Sequence, residues 1–204
     1  LSEVFRSLGA VVVSGGQTMN PSTKDLLHAV ESVVADKVII LPNNKNIVAT
    51  ANQVQSLTEK TIAVVPTQTI PQGVAALLAL DYEADLESNV QLMERAKSEI
   101  KSIEVTRAVR STQLNGLKIK KKQVIGIVNG KMLAVGDSAG GVLNDVLTEL
   151  DLDKIEVITI YYGADTELTE AEQISQTICQ QHQQLQVEVV NGGQPHYNFI
   201  VSVE

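Results

Sequence analysis

The sequence predicts an α/β protein in two parts: a parallel-sheet βαβ subdomain over residues 1–85, then a mixed α/β subdomain with antiparallel strands over residues 86–204. Three observations carry this. Short apolar runs alternate with stripes at helical spacing through residues 1–80, the pattern of βαβ units with right-handed crossovers. A longer, charged amphipathic stretch breaks the alternation at residues 86–100. Beyond it, strand-like runs crowd around Asn129-Gly130, a turn signal for antiparallel pairing.

In chain order, residues 10–13 (AVVV) are expected as a strand buried on both faces. Residues 24–35 place Leu26, Leu27, Val30, Val33 and Val34 on one helical face. A strand at 37–41 ends at Pro42-Asn43-Asn44, and Ile47, Val48, Ala51, Val54 and Leu57 form the next helical stripe. A third strand, 61–65, ends at Pro66-Thr67-Gln68-Thr69 and leads into a small, helix-prone stretch at 72–80. Leu86, Val90, Met93, Ala96 and Ile100 then mark a helix that bridges the two parts.

In the second part, strands are expected at 103–110, 123–128 and 131–135. A helix after Asp137-Ser138 carries Val142, Leu143, Val146, Leu147 and Leu150. A strand at 156–161 and a helix at 170–182 follow, the latter entered through a capping box at 169–172. Strands at 186–190 and 197–203 close the chain, joined by a turn through Gly192-Gly193-Gln194-Pro195.

Composition excludes several functions. With 16 Lys plus Arg against 24 Asp plus Glu, the formal charge is -8, which disfavours nucleic acid or an anionic membrane surface as main partner. The cluster Lys118-Ile119-Lys120-Lys121-Lys122 reads as a solvated turn. Aromatic residues are 3% with no Trp, which disfavours recognition by stacking. The single cysteine, Cys179, permits no internal disulfide, and no apolar run approaches a membrane span. The chain is therefore expected to be soluble and cytoplasmic. Its first residue is Leu rather than Met, and it is expected to be a piece of a longer polypeptide.

The candidate site in the first part is a set of loops at strand ends. Open parallel sheets bind ligands there, because helix N-termini and free backbone amides converge. Gly15 and Gly16 permit close backbone approach, while Gln17, Thr18, Asn43, Asn44, Thr67 and Thr69 supply neutral donors and acceptors. Asn20 is expected as the N-cap of the following helix, with Pro21 at its first position. Each loop alone is better read as ordinary turn and cap chemistry, and it is the three together at one sheet edge that bring a binding site level with that reading. Only Lys24 and Lys45 carry charge there, so acid–base catalysis and metal binding have no agent.

In the second part, Val135-Gly136-Asp137-Ser138-Ala139-Gly140-Gly141 resembles a phosphate loop but lacks the Lys-Ser/Thr ending, and reads as a helix cap. Tyr161 and Tyr162 stand at a strand end as candidates for a contact surface. His28, His182 and His196 have no paired ligand spacing, and His196, beside Tyr197, is the one singled out.

Five blocks, GGQTMNPSTKDLLHAV, VIILPNNKNIVATA, VVPTQTIPQGVAALLA, ITIYYGADTELTEAE and VVNGGQPHYNFIVSVE, occur in an order that resembles the C-terminal region of bacterial DAK2-domain proteins, the large, ATP-binding subunit of fatty acid kinase. The resemblance covers essentially the whole chain. It implies that ATP and magnesium belong to an N-terminal domain related to dihydroxyacetone kinase, and that no cofactor is held here. It further implies a C-terminal region that docks a DegV-like fatty-acid-binding subunit, without catalysis of its own. The family's aspartate-rich magnesium loop has no match in this sequence. The alternative reading is a small-molecule or anion-binding module related to dihydroxyacetone-kinase and DegV substrate domains. Partners are thus the DegV-like protein and the remaining domains of the parent chain, with a homodimer left open.

Overall fold

The computed structural model describes residues 1–15, 20–114 and 117–204, with the side chains of Leu114 and Leu117 left aside. The chain divides into two units, residues 2–100 and residues 101–204, the latter joined by Leu1.

The first unit runs α1 (Ser2–Ser7), α2 (Thr23–Ser32), β1 (Lys37–Ile40), α3 (Val48–Val54), β2 (Thr61–Val64), α4 (Ile70–Leu78) and α5 (Leu86–Glu99). β1 and β2 pair in parallel, Lys37 opposite Thr61 through Ile40 opposite Val64. Leu26 and Val30 of α2 and Ala51 and Val54 of α3 bury against Val38, Ile40, Ile62 and Val64. Met93 of α5 and Ala76 of α4 bury with Val65, flanked by Ile39 and Leu41.

Three sequence expectations are corrected here. Residues 10–13 enter no ladder among the described residues: Val13 packs against the first cluster, but Val11 is 63% exposed, so the run is not buried on both faces. The N-cap of α2 is Ser22, not Asn20; the Ser22 hydroxyl accepts from Asp25 N, and Asp25 Oδ2 accepts from Ser22 N at 2.9 Å, a reciprocal capping box. Finally, α5 belongs to the first unit, so the break falls after Ile100 rather than after residue 85. Buried Asn89 explains this: its amide holds the carbonyls of Asp81, Ala84 and Asp85 while its Oδ1 accepts from Asp81 N. The turn at 81–85 is thereby fastened to α5, and α5 to α4.

The second unit runs β3 (Lys101–Arg107), β4 (Thr112–Leu114), β5 (Leu117–Ile119), β6 (Val124–Val128), β7 (Lys131–Gly136), α6 (Ala139–Thr148), β8 (Val157–Tyr162), α7 (Leu168–Gln181), β9 (Gln186–Asn191) and β10 (Tyr197–Val203). Six strands form one mixed sheet in the order β7-β6-β3-β10-β8-β9, parallel only between β8 and β9. Asn129 (φ 47°) and Gly130 (φ 81°) turn β6 into β7, as the dipeptide predicts. Ser138 caps α6 by accepting from Gly141 N at 3.2 Å. α6 and α7 cover one face, burying Ile103, Val105, Ile158, Ile160, Phe199 and Val201. Complete burial of a side chain such as Phe199 contributes roughly 1.5–3 kcal/mol.

Here too the structure departs from expectation. α7 starts at Leu168 with Glu167 as its uncapped N-cap, so Thr169 lies inside the helix and makes no capping box. β9 and β10 are not partners: both flank β8, and the loop between them passes over the end of β8.

Candidate functional site

In the first unit the loops leaving β1 and β2 are bound to each other by neutral groups. The Thr67 side chain is fully buried. Its hydroxyl accepts from Asn43 N at 3.0 Å and donates to Asn43 Oδ1 at 2.8 Å, so one hydroxyl meets both ends of one residue. Asn43 adopts φ 55°, a conformation that asparagine tolerates better than most residues. A Cβ on Gly73, in the first turn of α4, would lie 1.9 Å from Asn43 Oδ1. The absent side chain at Gly73 is the space that Asn43 occupies.

The other candidates extend this network. Asn44 Nδ2 donates to Asn20 Oδ1 at 3.4 Å, joining the first loop to the second, and Asn44 Oδ1 accepts from Asn46 N at 2.9 Å. Thr69 is the N-cap of α4 and accepts from Gln72 N at 3.4 Å, while Gln72 Oε1 accepts from Gln68 N at 2.8 Å. Gly15 is half-buried and hydrogen-bonded. Gly16, Gln17 and Thr18 lie outside the described residues. Asn43, Asn44, Thr67 and Thr69 thus each have an assigned structural partner.

Two surface depressions occur elsewhere in this unit. One, of about 350 Å³, is lined by Val12, Val13, Ser14, Asp25, His28, Ala29 and Ser32. The other, of about 440 Å³, is lined by Lys37, Thr61, Ala63, Asp85, Leu86, Glu87 and Val90, at the opposite ends of β1 and β2 from the loops. The two capping carboxylates there, Asp25 and Asp85, are both held below the usual carboxylate range, Asp25 chiefly by its hydrogen bond from the Ser22 side chain and Asp85 by that from Ser88 N.

The second unit brings Tyr161, Tyr162 and His196 to one end of β8, in different roles. Tyr161 is 5% exposed, and its hydroxyl is pushed up to about 12 by burial, with Glu204 and Glu188 adding to the effect. Tyr162 packs against the core, and its carbonyl accepts from Gly192 N at 3.0 Å and Gly193 N at 3.1 Å. His196 is exposed and adopts φ 72°; its carbonyl accepts from Thr106 Oγ1 at 2.5 Å. A tyrosine so protected stays neutral at physiological pH and is unsuited to proton transfer.

Four positions here are not among the candidate site residues read from the sequence, although all four fall in its recognisable blocks. Gln194 is 7% exposed, donates Nε2 to Tyr161 O at 2.9 Å, and leaves Oε1 without a hydrogen-bond donor among the described residues. That oxygen lies 1.9 Å from where a Cβ on Gly192 would stand. Gly163 passes so close beneath the crossing loop that a Cβ would lie 2.0 Å from Tyr197 O. Thr166 donates to Asn198 O at 3.2 Å, locking the same two segments. The blocks YYGADT and GGQPHYN carry all of this, and their glycines are the sequence signal for close backbone approach.

Comparison with known proteins follows the whole chain. The family model for the C-terminal domain of FakA-like fatty acid kinase proteins matches residues 1–204. The chain is 42% identical over 205 residues to Protein YloV of Bacillus subtilis, and 38% identical to an uncharacterised protein of Staphylococcus aureus strain MRSA252. All of the chain is covered in each case, and it spans 37% of each relative's length. Among solved structures, a DegV family protein from Corynebacterium glutamicum aligns with TM-score 0.65 at 13% identity, over 100% of this chain and 91% of that one. The Streptococcus pneumoniae fatty acid kinase B3 protein loaded with linoleic acid aligns with TM-score 0.63 at 12% identity, over 90% and 76%. The dihydroxyacetone kinase of C. freundii, in complex with AMP-PNP and Mg2+, aligns with TM-score 0.58 at 12% identity, over 90% and 41%. At such identities these structures share the fold.

Proposed function

The chain belongs to the FakA-like C-terminal domain family of fatty acid kinase proteins, and from that premise we propose that it is a non-catalytic docking domain for a DegV-like fatty-acid-binding protein. In this reading ATP and magnesium belong to another part of the parent protein, which forms the acyl phosphate that enters phospholipid synthesis, in the cytoplasm. The observation that carries the reading is the state of the strand-end loops. The Asn43–Thr67 pair is closed on itself, and the loops at 42–47 and 65–70 hold no carboxylate for magnesium and one cation, Lys45. Those residues do not fit magnesium-ATP, and no step of phosphoryl transfer is assigned to them.

Titration calorimetry of the 204-residue chain against a DegV-family protein, with and without fatty acid, tests this. Micromolar or tighter binding is expected, together with no ATP hydrolysis by the chain alone; ATP turnover by the purified chain would sink the reading. A second reading, a small-molecule or anion-binding module, is favoured by one observation: polar side chains from three loops meet through Asn20, Asn44, Asn43 and Thr67. Fatty acid or inorganic phosphate binding by the isolated chain, abolished by Asn44→Ala, would replace docking with this reading. Sedimentation of the same samples reports whether a homodimer forms.

A further inference from the structure

Residues 11–14, Val-Val-Val-Ser, run without helix, turn or bend, and among the described residues their main-chain groups make no hydrogen bond. Three consecutive β-branched residues favour strand geometry and fit poorly elsewhere. Yet the only ladder among the described residues of this unit is the four-residue pair β1–β2, and a two-stranded sheet is marginal by itself. Val13 packs against the first cluster and Val12 is half-buried, while Val11 is 63% exposed, so side chains hold the run in place and its main chain is left without a ladder partner among the described residues.

Beside it lies the depression of about 350 Å³, whose far wall is α2. Asp25, His28, Ala29 and Ser32 recur at helical spacing along that wall, and Val12, Val13 and Ser14 form the near one. An unpaired main chain bordering a groove opposite a helix resembles the arrangement used in recognition by strand addition: main-chain bonds supply affinity, and alternate side chains enter the groove. Free N–H and C=O groups in register call for a second polypeptide backbone, which a lipid or a nucleotide lacks. Asp25, kept ionised by Ser22, matches a basic side chain of the added strand, in keeping with the chain's net charge of -8.

We propose that the groove between residues 11–14 and α2 takes an extended segment of the DegV-like partner, added as a strand along residues 11–14. The proposal rests on the docking reading above, and a DegV-family protein is the probe. Successive residues of a strand direct their N–H groups to opposite sides, so Val11→Pro and Val12→Pro each remove one N–H from a different side. Calorimetry is expected to show one variant binding at least tenfold more weakly and the other within twofold of the unmodified chain, both with unchanged thermal midpoints. Equal affinity for both variants, or equal loss in both, overturns the proposal. Should either variant fail to fold, hydrogen exchange of the unmodified chain decides: amides 11–14 slow at least tenfold on adding the partner, or the proposal falls. Slowing with chain concentration alone identifies a second copy as the occupant and also overturns it. Absence of any binding by the unmodified chain defeats the docking reading itself, and is thereby distinguished from failure of the strand-addition site.

Discussion

The two ends of strands where candidate residues gather are built on opposite plans. In the first unit a short parallel pair is finished by side chains, with Thr67, Asn43 and Asn44 reaching from loop to loop. In the second unit the end of β8 is finished by backbone, with carbonyls of Tyr162, Gln194 and Asn198 accepting amides of the crossing segments. Both use a glycine to admit a neighbour, but the neighbour of Gly73 is a side chain and that of Gly163 is a carbonyl. A side chain can rotate away, whereas a backbone held by a six-stranded sheet cannot. The first arrangement is therefore adjustable and the second is rigid, and substitutions should separate them.

The largest expected effect is at Gly163. An added Cβ would stand 2.0 Å from Tyr197 O and 2.9 Å from Gln194 O, both main-chain atoms. Gly163→Ala must shift either β8 or the crossing loop, and is expected to cost about 3 kcal/mol or more in urea unfolding. A loss under about 1 kcal/mol would show that this end is as adjustable as the other.

Alkaline titration tests the same rigidity through Tyr161. Its folded pKa, about 12, lies above the ordinary 10.0, so the folded state holds the proton longer than the unfolded state. Stability is then complete below pH 10 and is lost as pH rises from 10 to 12, by on the order of 2 kcal/mol. Tyr161→Phe removes that dependence and leaves the remaining alkaline slope; an unchanged profile would show that the hydroxyl is solvated.

Thr67→Val comes next and probes the side-chain plan. The isostere keeps the volume but leaves Asn43 N and Asn43 Oδ1 without their partner, at a cost of about 2 kcal/mol. In parallel, amide exchange at Asn43 is expected to accelerate, while exchange in β10 keeps its relation to the global unfolding free energy.

What the sequence disclosed follows the range of the interactions involved. Local signals were readable: β10 lies at 197–203 as its apolar run predicts, Asn129-Gly130 makes the hairpin, and Asp137-Ser138 precedes a helix. Pairing between distant segments was not. The neighbours of β8 are chosen by packing of α6 and α7 beneath the sheet, which no run of residues encodes, so β9 and β10 look like a hairpin although they flank a third strand. Residues 10–13 show the same limit, since valines announce a strand but not a partner. At the candidate site, residue types identified Asn43, Thr67 and Thr69 as loop chemistry. The closure of Asn43 and Thr67 on each other depends on Gly73, 30 residues from Asn43 and unremarkable beside Gln72. Gln194 reads from sequence as a turn residue because a glutamine in a turn is ordinarily solvated, and only the crossing over β8 buries it.

Gly73→Ala has the smallest expected effect and tests the comparison most sharply, because its sign depends on a neighbour. Gly73 lies inside α4, where alanine is favoured by about 1 kcal/mol. Against this, the added Cβ displaces Asn43 Oδ1 and removes the bond from the buried Thr67 hydroxyl, a loss of about 1–2 kcal/mol. The net change is a destabilisation near 1 kcal/mol or less. Asn43→Gly keeps the φ of 55° accessible while emptying the space above Gly73. In that background the steric term vanishes and the helical preference remains, so Gly73→Ala becomes stabilising by up to about 1 kcal/mol. A double-mutant cycle over these two positions therefore changes sign if a movable side chain sets the constraint. Destabilisation of equal size in both backgrounds would mean that α4 meets backbone there, and the two strand ends would share one plan.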